Sequence, residues 1–170
     1  MERIYISGKI GEEVIRLETR LKFEGAAEML RSRGYDVFNP TDAEWQESLR
    51  KGFDRDRIVQ PNGDRVGFYA YALLRDLMVM ATCDGVLFLD DFKKSPGAMT
   101  EYQFCLATGV RCFFSDRHES CKYLYRQMLE LVQLGRPPRF WLDDEFKAEI
   151  QYYKDHIERV WLPLSGDNHW

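Results

Sequence analysis

The stretch with most chemistry runs from Cys83-Asp84-Gly85 through Val86-Leu87-Phe88-Leu89 and Asp90-Asp91 to Ser95-Pro96-Gly97-Ala98-Met99-Thr100-Glu101. An apolar run leads into a polar loop and then into small residues that open a helix. The first free N–H groups of a helix attract anions. Gly97 and Ala98 are small enough for a phosphate or a sugar to approach the backbone there, and Glu101 falls one turn further on, where a carboxylate can face the same crevice as the Ser95 hydroxyl. Simpler roles exist for each of these residues. Ser95-Pro96 is also what a helix start requires, serine as N-cap and proline at the first position. Glu101 would also suit a solvated site near the positive end of the helix dipole. Asp90-Asp91 offers two acids that could hold Mg²⁺ or simply be hydrated.

Two further stretches bear reactive groups. Arg75-Asp76 interrupts the apolar segment Tyr69-Ala70-Tyr71-Ala72-Leu73-Leu74. It reads either as a surface ion pair of small energetic value or as a carboxyl presented for proton transfer. At the start of the chain, Tyr5-Ile6-Ser7-Gly8-Lys9-Ile10 places a tyrosine, a serine and a glycine where an apolar run ends. Core packing for Tyr5 and a turn for Ser7-Gly8 are the structural alternatives.

The elements that must position these groups follow from periodicity. Residues 3–7 read as a strand and 12–33 as a helix, with Gly34 suited to its end. Residues 35–38 form a second strand stopped by Asn39-Pro40. Thr41-Asp42-Ala43-Glu44 resembles a capping box and opens a short helix through Arg50. The charged, turn-rich segment 51–67 reads as a long exposed loop of the kind that serves as lid or binding segment. A helix follows over 68–82, then an apolar strand over 85–89, a loop over 90–94, a helix over 96–108 and a fourth strand over 110–114. Two more helices are expected at about 119–134 and 143–160, separated by Gly135-Arg136-Pro137-Pro138. Alternating strands and helices predict an α/β fold: one Rossmann-like or flavodoxin-like parallel sheet flanked by helices, with a C-terminal helical part over 115–170. Ligands of such sheets bind beyond the carboxyl ends of the strands. That edge holds the residues around Ser7, Asn39, Asp90–Gly97 and those after Phe114.

Composition narrows the field. The chain has 170 residues, 24 Lys+Arg against 28 Asp+Glu, and a net charge of −4. This length predicts one domain with a sizeable core. The mildly acidic balance argues against a general grip on polymeric nucleic acid or anionic membrane. No apolar run reaches the roughly 20 residues a membrane span requires, and the first residues, Met1-Glu2-Arg3-Ile4-Tyr5, do not form a signal peptide. A cytoplasmic protein is therefore expected. Cys83, Cys105, Cys112 and Cys121 form no C-x-x-C pair and have no histidine at zinc-ligand spacing. They read as free thiols, the first three of them in the core, and no metal or other cofactor is expected.

Five of these motifs in order form a resemblance. Tyr-Ile-Ser-Gly-Lys-Ile, Gly-Tyr-Asp-Val-Phe-Asn-Pro, Arg75-Asp76-Leu77, Cys83-Asp84-Gly85-Val86 and Ser95-x-Gly97-x-x-x-Glu101 resemble the nucleoside 2-deoxyribosyltransferase superfamily. That superfamily includes the 2′-deoxynucleoside 5′-monophosphate N-hydrolases. The likeness covers about residues 3–112. It implies that Glu101 is the nucleophile at the anomeric carbon, that Asp76 handles the proton of the departing base, and that Tyr5 hydrogen-bonds beside the nucleophile. It also implies substrate contacts from Ser7, Gly8, Ser95, Gly97 and Ala98. Serine at position 95, where transferases on free nucleosides commonly carry aspartate, points to a 5′-monophosphate. A homodimer or higher homo-oligomer is implied too. The leading expectation is thus cleavage or transfer of an N-glycosidic bond on a (deoxy)nucleoside or its monophosphate. A non-catalytic nucleotide-binding protein of the same fold is the alternative, and Mg²⁺-dependent phosphoryl chemistry at Asp90-Asp91 ranks third.

Overall fold

The structure, a computed structural model, describes residues 1–11, 14–116 and 119. The chain divides into two compact units, Met1–Phe113 and Phe114–Trp170. Of the second, only residues 114–116 and 119 are described, so the helices expected at about 119–134 and 143–160, and Cys121, lie outside the described residues.

The first unit is built on strand β1 (Arg3–Ser7), helix α1 (Leu17–Ser32), strand β2 (Asp36–Phe38), helices α2 (Ala43–Asp56) and α3 (Phe68–Met80), strand β3 (Gly85–Phe88), a 3-10 turn at Phe92–Lys94, and helix α4 (Pro96–Thr108). Strand β4 (Arg111–Phe114) completes a four-stranded sheet in the order β2-β1-β3-β4. Strand β1 pairs in parallel with both β2 and β3. This is the expected α/β, Rossmann-like architecture. Its connections reverse direction between β1 and β3, which makes the gap between their carboxyl ends the topological switch point where such sheets bind ligands.

Alternation along β1 decides which side chains meet. Successive residues of a strand point to opposite faces. Ile4 and Ile6 join Phe23, Ala27 and Leu30 of α1 and Leu87 and Leu89 in one buried cluster. Tyr5 and Ser7 therefore face the other side, and both are 1% exposed. On that side Phe88 packs edge-on against Tyr102 of α4, with ring centroids 5.5 Å apart. Each fully buried aliphatic side chain contributes roughly 1.5–3 kcal/mol, so the α1 cluster anchors the sheet from which the opposite face projects its polar groups.

Several boundaries differ from expectation. Helix α1 begins at Leu17 rather than at residue 12, and Val14, Leu17 and Leu21 are exposed. No capping box forms at α2. Asp42 is its N-cap without a side-chain cap bond, while the Thr41 hydroxyl donates to Asn39 Oδ1 at 2.8 Å. The same helix runs six residues beyond Arg50 to Asp56, so the connection to α3 is shorter than the expected 51–67 loop. Gly52 lies inside this helix at the point where α3 comes close. A Cβ there would collide with the Tyr71 hydroxyl. Arg57 then closes α2 in the left-handed region at φ 44°. The remaining connection folds on itself through an antiparallel bridge between Val59 and Arg65. Among the described residues, no helix is long and apolar enough to cross a membrane.

Candidate functional site

Two hydroxyls from β1 converge on one carboxyl from α4. The Tyr5 hydroxyl donates to Glu101 Oε1 at 3.0 Å, and the Ser7 hydroxyl donates to Glu101 Oε2 at 2.5 Å. Glu101 is 6% exposed. The sequence separations of 96 and 94 residues show that only the fold brings these groups together. Helix α4 holds the carboxyl in place by an orthodox start. Ser95 is its N-cap, accepting from the Ala98 N–H at 3.2 Å, and Pro96 occupies the first turn.

Burial governs the protonation of this group. Burial first, and the Asp76 carboxylate in the same sense, raise the Glu101 carboxyl to about 8 against the Ser7 and Tyr5 hydroxyls, which act in the opposite sense. Asp76 on α3 is itself pushed up to about 7 by burial, against the Trp45 indole N–H and the Arg75 guanidinium, which favour its charge. The Tyr5 hydroxyl is held well above its ordinary value, first by burial and then by the charges of Glu101 and Asp76. The Glu101 and Asp76 carboxyls are thus both raised toward neutral pH, and the charge on Asp76 adds to the rise of Glu101. Two O–H donors favour the charge on Glu101 and one N–H donor favours that on Asp76, while burial opposes both and raises Glu101 the more, to about 8 against about 7.

Asp76 does not form the surface ion pair with Arg75 that the sequence also allowed. Arg75 instead donates to the Tyr71 hydroxyl at 2.8 Å and lies 3.8 Å from Asp56, while Asp76 Oδ1 accepts from Trp45 Nε1 at 2.8 Å. Trp45 is the residue that sequence reasoning missed. Its only signal was an indole one turn into a helix that follows Asn39-Pro40 at a strand end.

The other expected contact residues line the same edge of the sheet. Gly8 is buried where the loops after β1 and β3 touch, and a Cβ there would meet Leu89 at 3.1 Å and Asp91 Oδ1 at 3.2 Å. Gly97 lies beneath the Tyr69 hydroxyl, 2.7 Å from where a Cβ would stand. The Ala98 N–H is used by the Ser95 cap, which leaves the serine O–H as the group able to donate to a ligand. Asp91 is not free for a divalent cation. Its Oδ2 is 2.5 Å from Lys22 Nζ and its Oδ1 accepts from the Lys9 N–H at 3.0 Å. Among the described residues, no group of His, Cys, Asp and Glu is placed to hold a metal. Cys83, Cys105 and Cys112 are buried free thiols, as expected.

Residues 2–114 match a family described as a domain of unknown function, DUF4406. The chain belongs to that family. Neither the curated proteins nor the solved structures give a match. The matched span contains Tyr5, Ser7, Asp76, Ser95 and Glu101, so every residue of the carboxyl–hydroxyl cluster lies inside the DUF4406 domain.

Proposed function

We propose that this DUF4406 chain cleaves or transfers the N-glycosidic bond of a nucleoside or nucleoside 5′-monophosphate. The observation that carries this reading is the buried Glu101 carboxyl, held at both oxygens by Tyr5 and Ser7 and electrostatically linked to Asp76. Support comes also from the resemblance of the five ordered motifs to the nucleoside 2-deoxyribosyltransferase superfamily.

The two carboxyls suit the two halves of the reaction. Departure of a base leaves oxocarbenium-like charge on the anomeric carbon, which an adjacent carboxylate stabilises or captures. Glu101 attacks C1′, the C1′–N bond breaks with its electron pair moving to the base, and Asp76 supplies the proton that the base nitrogen takes up. Water or a second base then attacks C1′. Asp76 takes the proton released by that nucleophile and Glu101 leaves as carboxylate. Tyr5 and Ser7 keep Glu101 oriented and, as donors, favour its ionised form against the burial that raises it. At the helix start, the Ser95 hydroxyl meets a phosphate without the repulsion an aspartate would impose. The resemblance implies a homo-oligomer for the working protein.

The test is incubation of the full chain with a panel of nucleosides and their monophosphates, followed by mass spectrometry for free base and sugar or sugar phosphate. Release of base by the wild type and its loss in Glu101→Gln, with the circular dichroism spectrum intact, is the expected result. Equal turnover in that variant overturns the mechanism. Tight nucleotide binding without products selects a binding protein instead.

A further inference from the structure

An indole N–H can donate a hydrogen bond and cannot accept one. In a carboxylic acid the carbonyl-type oxygen is the better acceptor. The Trp45 Nε1 contact to Asp76 Oδ1, 2.8 Å long, therefore distinguishes the two oxygens of that acid. We propose that Trp45 is a positioning residue, one that fixes Oδ1 of Asp76 by its N–H and so places the transferable proton on Oδ2. The proposal rests on the reading of Asp76 as the proton donor to the leaving base.

Two contacts, and the stack behind one of them, give the indole the rigidity this role needs. Its ring meets Phe38 edge-on, with centroids 5.0 Å apart and planes at 81°. Phe38 in turn stacks on Tyr5 at 5.5 Å and 11°. The Arg75 guanidinium lies 5.7 Å from the indole centroid. Tyr5 is the residue that bonds Glu101. The residue orienting the acid is thus packed, through one phenylalanine, against the residue orienting the nucleophile. A shift of either would be transmitted to the other, because packed aromatic rings do not deform continuously.

The charged and titratable groups that share this environment are Arg75 beside Asp76 on α3, Glu101 on α4 and Tyr5 on β1. Arg75 favours the Asp76 carboxylate, as the indole N–H does. Loss of the N–H alone, with the ring kept, removes one of these two influences and leaves burial unopposed by it.

The experiment uses the full chain labelled with carboxyl-¹³C aspartate and ¹⁵N tryptophan, titrated by NMR. Asp76→Asn identifies the Asp76 carboxyl resonance by its disappearance. In the wild type, the Trp45 indole cross-peak should move with pH at the Asp76 midpoint and become pH-independent in Asp76→Asn. In Trp45→Phe, which keeps an aromatic ring, the Asp76 midpoint should move to higher pH. If the wild type cleaves nucleotides, the same variant should lower kcat by about tenfold with KM little changed, and its pH–rate profile should move in the same direction as the carboxyl. An indole cross-peak that ignores the Asp76 titration, or an Asp76 midpoint unmoved in folded Trp45→Phe, overturns the proposal. The indole titration decides the matter even if Trp45→Phe fails to fold. A wild type that cleaves no nucleotide defeats the functional reading and leaves the NMR result standing on its own.

Discussion

Two carboxyls beyond the carboxyl ends of β1 and β3 illustrate opposite electrostatic solutions. Asp91 meets an ammonium, from Lys22 at 2.5 Å, and the Lys9 N–H. Burial alone would raise it, but these partners hold it below its ordinary value. Glu101 accepts from two hydroxyls and lies near the Asp76 carboxyl, and burial is the main cause that raises it to about 8. A carboxylate neutralised by a cation is a fastener. Here it ties the loop after β3 to α1 and to the loop after β1, since the same Lys22 also donates to the Lys9 carbonyl at 3.0 Å. A carboxyl surrounded by hydroxyls and a second acid keeps its protonation adjustable near neutral pH, which is what covalent and acid–base chemistry requires.

Removing each group should separate the two roles. The largest effect expected is on rate: Glu101→Gln should lower base release by at least about 10³-fold, measured by single-turnover assay. The next concerns stability against pH. Glu101 binds its proton more tightly in the folded state than at its ordinary value of 4.5, so folding stability falls as pH rises from about 4.5 through about 8. Asp91, held below its ordinary value of 3.8, acts on the other side, and its contribution is lost as pH falls below that range. Urea unfolding across pH should show Glu101→Gln flattening the alkaline decline, by on the order of 2 kcal/mol, and Asp91→Asn flattening the acid one. The reverse assignment would break the comparison. Lys22→Met should cost about 1–2 kcal/mol at pH 7, because it leaves a partly buried carboxylate without its cation. Its loss of rate should be far smaller than that of Glu101→Gln. The smallest effect belongs to Ser95→Ala. Loss of the cap should cost about 1 kcal/mol, and KM should rise for monophosphates more than for nucleosides if the serine O–H meets phosphate.

How much of this the sequence disclosed depended on whether the signal was local. Helix α4 was legible to the residue because both its ends are written in the chain, Ser95-Pro96 at one and Gly109, at φ 77°, at the other. The alternation along β1 that puts Tyr5 and Ser7 on one face is equally local. The last turns of α2 were not legible. Lys51 to Asp56 has the composition of a loop, and the contacts that pack it against α3, the Gly52–Tyr71 approach and the Tyr71 hydroxyl donating to Asp56 at 2.6 Å, are non-local. The Lys22–Asp91 tie spans 69 residues and the Trp45–Asp76 bond 31, with no local pattern to announce either. Motif resemblance pointed to Tyr5, Asp76 and Glu101, whereas the indole that holds Asp76 belongs to none of the five motifs.

The central position of β1 bears on how the chain acquires its structure. Its first pairing partner, Asp36–Phe38, follows within a few dozen residues, but the second, Gly85–Phe88, lies some 80 residues downstream. On a ribosome the strand that becomes the middle of the sheet emerges first and waits longest, with one edge open until β3 has been synthesised. Such late, distant closure slows folding and exposes an unpaired edge to neighbouring nascent chains. The polar face assembles later still, because Glu101 is translated after β3 and reaches Tyr5 and Ser7 only once the sheet that presents them exists.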